Sequence, residues 1–304
     1  MPYQNPHTMG ADRIEQTAQL RVDSLRLGYG VRDVVIDLSA NIPHRGFTVI
    51  IGPNGCGKST LLKGIGRLIP WKSGVVTLGG ASIAKMPPRR LARQIALLPQ
   101  STGAPDGVSV FDLVARGRFP YQSLLRQWSN DDGVAVESAL DSVGMTSLRA
   151  APLGELSGGQ RQRAWIAMAL AQETPIMLLD EPTTYLDIAH QLEVLDLCAH
   201  LNQQGRTLIA VLHDLNLAAR YATQILAMRD GRLRAAGAPT DVLTPDLLAE
   251  VFDLQALVHT DPETGRPLII PRRRSDSQQD EGTSDHPLTH PVHQQRTLTI
   301  SERN

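Results

Sequence analysis

The chain has 304 residues, 41% apolar and 20% charged, with 30 Lys plus Arg against 31 Asp plus Glu for a formal net charge of −1. This length suggests one large domain or two small ones; the apolar fraction excludes wholesale disorder, and near-neutrality argues against non-specific polyanion binding, which depends on phosphate neutralisation. The two cysteines, Cys56 and Cys198, exclude a disulfide framework and a four-cysteine zinc site, and they fit a reducing compartment.

Residues 1–19 show no period and no apolar core of a signal peptide, and read as a loose leader. Leu20 to Leu27 alternates apolar and polar residues, a strand pattern. Thr48 to Ile51 is a short apolar run ending at Gly52, and Ser59 to Leu68 follows with helical spacing through Leu61, Leu62, Ile65 and Leu68. Ile95 to Leu98 is another short run, closed by Pro99. Val108 to Ala171 has helix-compatible patterns with loops expected at Gly133 and near Pro152. Ile176 to Leu179 ends in Asp180, and Thr207 to Leu212 ends at His213. Strands alternating with helices predict an α/β fold with a largely parallel sheet, whose ligands bind beyond the carboxyl ends of the strands. Gly52, Asp180 and His213 are therefore expected to gather on one edge. No apolar run approaches the ~18 residues a membrane span needs. After Pro271 the composition turns polar, and residues 273–304 read as a disordered tail. The tail carries His286, His290 and His293, but Pro287 and Pro291 interrupt any helix that would align them on a metal.

Gly52-Pro53-Asn54-Gly55-Cys56-Gly57-Lys58-Ser59-Thr60 is a complete P-loop between a predicted strand and a predicted helix. Its glycines let backbone N–H groups turn inward around a β-phosphate, and the helix N-terminus adds positive potential. Lys58 reaches the β- and γ-phosphates and Ser59 offers a hydroxyl to Mg²⁺. Cys56 reads as a small filler residue rather than a redox sensor. Leu156-Ser157-Gly158-Gly159-Gln160, before a helix expected from about Arg161, forms a second anion site of free N–H groups and a hydroxyl. Two half-sites for one γ-phosphate in a single chain suggest a head-to-tail pair of chains. Asp180 is placed to hold Mg²⁺, through water, while Glu181 orients or deprotonates a water. His213, ending the next strand, is placed to contact the γ-phosphate. Trp165 reads as core packing; Trp71 and Trp128 read as surface or subdomain packing.

The order P-loop, LSGGQ, Asp-Glu and His resembles the nucleotide-binding subunits of ATP-binding cassette (ABC) transporters, over roughly Leu20 to Arg272. The resemblance implies a P-loop NTPase with a RecA-like core, an N-terminal antiparallel β subdomain and a helical subdomain at about 103–172. It implies that Tyr29 stacks on adenine, and that Gln100 senses Mg²⁺ and the attacking water while facing a membrane partner. It also implies that Asp187 lies in a loop crossing a dimer interface, a role compatible with capping the helix from Ile188. Arg116 to Gln122, Pro182 to Asp187 and His213 to Tyr221 are similar to one branch, the importer ATPases for ferric siderophores, which haem and cobalamin importers share. The Asp261 to Pro271 ending looks like the same group, whereas Tyr121 stands where that branch often has His.

The reading is an ATPase subunit on the cytoplasmic face of the cell membrane, peripheral, energising ferric siderophore uptake. Its expected cofactors are ATP and Mg²⁺. Its expected partners are a second copy, integral membrane permease subunits and, indirectly, a substrate-binding protein, with no nucleic acid. Haem, cobalamin or another metal cargo is the alternative within the same machine. An exporter is disfavoured by the importer-like segments. A cassette ATPase of DNA repair or translation is the alternative of a different class, and the coiled-coil insertions, zinc modules or duplicated cassette usual there are missing from the sequence.

Overall fold

The computed structural model describes residues 20–100, 107–123 and 128–273. The leader 1–19, most of the tail with its three histidines, and parts of the 103–172 region lie outside the described residues. The described chain opens with a hairpin, β1 (Leu20–Tyr29) and β2 (Arg32–Ile42), then β3 (Phe47–Ile51), helix α1 (Lys58–Ile65), β4 (Trp71–Leu78), β5 (Ala81–Ser82), α2 (Pro88–Ala92) and β6 (Ile95–Leu98). Helical segments follow: α3 (Val110–Ala115), a 3₁₀ turn at Arg116–Tyr121, α4 (Asn130–Ser142) and α5 (Gly158–Ala171). Next come β7 (Ile176–Asp180), α6 (Ile188–Gln203), β8 (Thr207–Val211), α7 (Leu215–Tyr221), β9 (Gln224–Arg229) and β10 (Arg232–Gly237). Short helices α8 (Pro239–Val242) and α9 (Pro245–Phe252) lead to a final hairpin, β11 (Ala256–Thr260) and β12 (Pro267–Pro271).

Six strands form the central sheet in the order β10-β9-β3-β8-β7-β6, parallel from β9 to β6, with β10 antiparallel at the edge. Strands β2-β1-β4-β5 form a separate antiparallel layer. The expected α/β architecture is present: a mostly parallel core, an antiparallel β layer and a helical stretch between β6 and β7. All residues of β3, β7 and β8 are buried, as strands covered on both faces must be.

Strand alternation divides the core between the two faces. Val49, Ile51, Met177, Leu179, Leu208 and Ala210 pack with α3 to α6. Ile50, Ile176, Leu178, Ile209 and Val211 pack with Leu61, Leu62 and Ile65 of α1 and with the antiparallel layer. Each large aliphatic side chain so buried contributes ~1.5–3 kcal/mol relative to exposure. Because side chains alternate every second residue, Asp180 falls on the Ile176–Leu178 face, toward α1.

Three expectations need correction. Helix α1 stops at Ile65 rather than Leu68, because Gly66 caps it and Arg67 turns left-handed at φ 55°, leaving Leu68 exposed. Gly133 is not in a loop. A capping box from Ser129 to Asp132 starts α4 at Asn130 and carries the helix through the glycine. The helix after LSGGQ begins at Gly158, not near Arg161. Among the tryptophans, Trp165 packs partly buried on the core, Trp71 donates its indole N–H to Gly64 O at 2.8 Å, and Trp128 lies partly exposed beside Phe111.

A buried ion pair joins the helical stretch to the end of α5. The Arg118 side chain is 4% exposed, and its guanidinium bonds Asp132 at 2.9 Å, Ala171 O at 2.7 Å and Glu173 at 2.6 Å. The same guanidinium lies 4.0 Å from the centroid of the Tyr121 ring, whose hydroxyl donates to Gln172 O at 2.9 Å. Removing one partner of such a pair strands a buried charge. Arg118→Ala is therefore expected to lower the unfolding free energy by roughly 3–5 kcal/mol. Urea unfolding checks this, and an unmoved midpoint would contradict it.

Candidate functional site

The P-loop leaves β3 at Gly52 and enters α1 at Lys58. Gly57 adopts φ 106°, and a Cβ there would come within 2.8 Å of Val34 O, so both conformation and space require glycine. The loop's outer side is held by backbone bonds: Gly231 N–H donates to Cys56 O at 3.1 Å, and Ile36 N–H donates to Gly231 O at 2.8 Å. Cys56 is buried and burial pushes its thiol pKa up, which fits the filler reading. Lys58 is 5% exposed, and its ammonium donates to Gly52 O at 2.9 Å and Pro53 O at 3.1 Å. A cavity of about 550 Å³ opens over the loop, lined by Asn54, Gly55, Gly57, Lys58, Ser59 and Thr60, with Glu181 on one wall and Arg32, Asp33 and Val34 on another. The sequence had not singled out these three hairpin residues. Tyr29 is 55% exposed at the hairpin tip, where it pairs with Arg32, and is not among the lining residues.

The sheet brings the predicted strand-end residues together. Ser59 Oγ donates to Asp180 Oδ1 at 2.7 Å, across 121 residues of sequence. Asp180 is 1% exposed, and burial raises its pKa against the opposing effect of the Ser59 bond. Its second oxygen, Oδ2, is buried with no hydrogen-bond partner. A hydroxyl and an unpaired carboxylate oxygen are hard oxygen donors of the kind Mg²⁺ accepts, with the remaining positions left to phosphate and water. The residues present thus fit that cation.

Glu181 sits one residue past β7 with φ 54°, a left-handed backbone that is uncommon outside glycine. His213 Nε2 lies 2.7 Å from Glu181 Oε1, while Oε2 accepts from Gln100 at 2.7 Å and from Thr184 Oγ1 at 3.0 Å. Burial pushes the Glu181 pKa up, but the bonds from His213, Thr184 and Gln100 outweigh it and hold the carboxyl below its ordinary range. Glu181 therefore stays ionised at neutral pH. Thr184 was not foreseen; it lies three residues along the turn that follows Glu181.

The other two motifs sit on helix starts. Ser157 Oγ accepts from Gln160 N at 3.2 Å, and Gln160 Oε1 accepts from Ser157 N at 3.0 Å, so Ser157 caps α5. Ser157 and Gly158 are exposed, whereas Leu156 and Gly159 are buried. Asp187 caps α6, accepting from His190 N at 2.9 Å, with the capping bonds from His190 lowering its pKa. Around it, the side chains of Tyr185 (97%) and Ile188 (77%) are exposed.

A carboxyl whose folded pKa is raised binds its proton more tightly in the native state, so ionising it at neutral pH costs stability. Asp180→Asn, in protein without nucleotide and divalent cation, is expected to raise the melting temperature. The gain should be full at neutral pH and vanish as pH falls below the ordinary carboxylate range near 3.8. A variant that melts lower at pH 7 would contradict the account.

The family model for the ABC transporter matches residues 35–184. The "Probable siderophore transport system ATP-binding protein YusV" of Bacillus subtilis (strain 168) is 50% identical over 256 residues, covering 84% of this chain and 93% of that protein. The ferric enterobactin transport ATP-binding protein FepC of Escherichia coli (strain K12) is 48% identical over 262 residues, covering 86% of this chain and 97% of that protein. A dimeric structure of a bacterial ABC transporter cassette superposes with a TM-score of 0.63 at 26% identity, covering 72% of this chain and 98% of that one. With its P-loop, signature turn and acidic strand end disposed on one α/β core, the chain belongs to the ABC transporter family of ATP-binding proteins.

Proposed function

We propose that this chain hydrolyses ATP to drive ferric siderophore import, as a homodimer docked on membrane permease subunits at the cytoplasmic face. The cassette occupies 20–272, with the helical subdomain about 103–172 and a polar tail after it. The observation that carries the reading is Glu181. Its carboxylate is ionised, fixed by three side chains and aimed over the P-loop cavity beside the Ser59–Asp180 pair. Sequence likeness to siderophore transport ATPases at about half identity supports the cargo class. Among the described residues no helix is long and apolar enough to cross a membrane, which fits a subunit that works through a permease.

In this reading Gly52 to Thr60 cradle the phosphates with backbone N–H groups, and Lys58 moves from its loop carbonyls onto the β- and γ-phosphate oxygens. Asp180 and Ser59, with Gln100, would hold Mg²⁺, which would neutralise charge on those oxygens. Tyr29, on the exposed hairpin tip, stacks on adenine. Glu181 accepts a proton from the attacking water; its carboxylate is held by Gln100 and Thr184. His213 donates a hydrogen bond that fixes the carboxylate and faces the γ-phosphate. Leu156 to Gln160 of the partner copy close the other side of the nucleotide with the N–H groups of a helix N-terminus. Tyr185, Asp187 and Ile188 supply an exposed apolar and acidic edge for the dimer interface. The supporting feature is that Ser157 and Gly158 are open to solvent, free to receive a phosphate that belongs to another chain.

Glu181→Gln keeps the hydrogen bond from His213 and loses the base. ATP turnover is expected to fall by roughly 10²–10⁴-fold with nucleotide affinity retained. Rapid hydrolysis by that variant would overturn the assignment. In cells whose own copy is replaced by this variant, uptake of radiolabelled ferric siderophore is expected to collapse. Haem and cobalamin uptake, run alongside, decide the cargo: loss of one of these with siderophore uptake intact would keep the machine and replace the substrate.

A further inference from the structure

The Asp187 loop and the signature turn meet at two side chains, Leu186, whose Cδ2 would lie 3.8 Å from a Cβ on Gly158, and His190, which alone of the two also bonds Asp187. His190 is the third residue of α6, and its backbone N–H donates to Asp187 Oδ1 at 2.9 Å. Its ring Nδ1 lies 2.8 Å from the same oxygen, so Nδ1 carries the hydrogen. The opposite part of the ring presses on Gly159, where a Cβ would come within 2.6 Å of Cδ2 and 3.2 Å of Nε2. Gly159 is thus required by the imidazole rather than by its own backbone. The next residue, Gln191, donates to Leu186 O at 2.9 Å, tying the loop to α6 a second time.

We propose that His190 is a positioning residue that yokes the Asp187 loop to the Ser157–Gln160 turn of the same chain. The inference rests on the nucleotide-sandwich reading above. There, the loop begins at the base of the chain's own site, Glu181, while the turn grips the nucleotide on the partner's P-loop. A rigid link between them makes alignment at one site favour closure at the other, a coupling that belongs to cooperativity rather than to nucleotide affinity. Mere packing of α6 would affect stability without that signature.

The test uses the full chain. In a Glu181→Gln parent, ATP with Mg²⁺ is titrated and dimer formation is followed by light scattering. A ribose-labelled fluorescent ATP reports nucleotide affinity at dilutions where the chain is monomeric, and the Hill coefficient of ATP hydrolysis is measured with Glu181 intact. His190→Ala is expected to leave monomer nucleotide affinity within about two-fold, weaken ATP-driven dimerisation about ten-fold, and bring the Hill coefficient toward one, the size expected for losing a charge-assisted hydrogen bond. His190→Asn keeps an N–H to donate to Asp187 but lacks the ring edge that reaches Gly159, and is expected to stay well short of the parent in both. Parent-like dimerisation and cooperativity in His190→Ala would overturn the proposal. So would parent-like dimerisation and cooperativity in His190→Asn, which keeps only the bond to Asp187. A Glu181→Gln parent that does not dimerise with ATP would refute the sandwich reading itself, and the inference with it.

Discussion

A hydrogen bond of 2.7 Å from Ser59 to Asp180 joins the first turn of α1 to the end of β7, and the arrangement of the site depends on the register behind it. Strand β8 lies between β3 and β7, and its parallel pairing with both brings Ile50 and Asp180 each opposite Val211. That register aligns the carboxyl ends of three strands. The two-residue side-chain period then turns Asp180 to the α1 face, where Ser59 meets it. A slip of one residue in β7 would place Leu179 there and bury Asp180 among the aliphatic side chains under α3 to α6. The aliphatic packing on both faces specifies the register, so the chemistry at the edge is a consequence of the core.

The two adjacent acids are separated by backbone conformation. Asp180 is the last residue of a buried strand and pays for its burial with a raised pKa. Glu181 takes a left-handed turn and enters a ring of donors, His213, Gln100 and Thr184, that lowers its pKa. These environments separate the two carboxyls: Asp180 keeps a buried, partnerless oxygen suited to a cation, and Glu181 stays ionised among its donors. His213 comes from the end of β8 and Gln100 from just past β6, so the ring draws on the strands flanking β7 on both sides.

The strands that carry the site were readable because buried parallel strands are continuous apolar runs, as Thr48–Ile51, Ile176–Leu179 and Thr207–Leu212 are. Their convergence followed from the general placement of ligands at the carboxyl edge. The antiparallel layer was less readable from pattern alone, since β2 and β4 mix exposed and buried residues irregularly around bulges. The end of α1 was misplaced because Leu68 continues the helical spacing while Gly66 and Arg67 break the backbone before it. Gly133 misled in the opposite direction, its loop tendency overridden by the capping box at Ser129. Gln100 carries no local signal and was named only through family resemblance, as was Tyr29, which does not line the cavity. Gln100 makes its bond to Glu181 across 81 residues. His190 and Thr184 act through contacts that spacing alone does not reveal, and their neighbours Asp187 and Glu181 were the visible residues.

The central claim is that one chain supplies the P-loop and a second chain supplies the signature turn to the same nucleotide. The most direct measurement is a structure of the Glu181→Gln chain solved with ATP and Mg²⁺. The account predicts two nucleotides in a two-fold dimer, each with its phosphates on Lys58 of one copy and on the Ser157–Gln160 turn of the other. A structure in which ATP is held by the P-loop alone, with Ser157 of no second copy near the γ-phosphate, would contradict it.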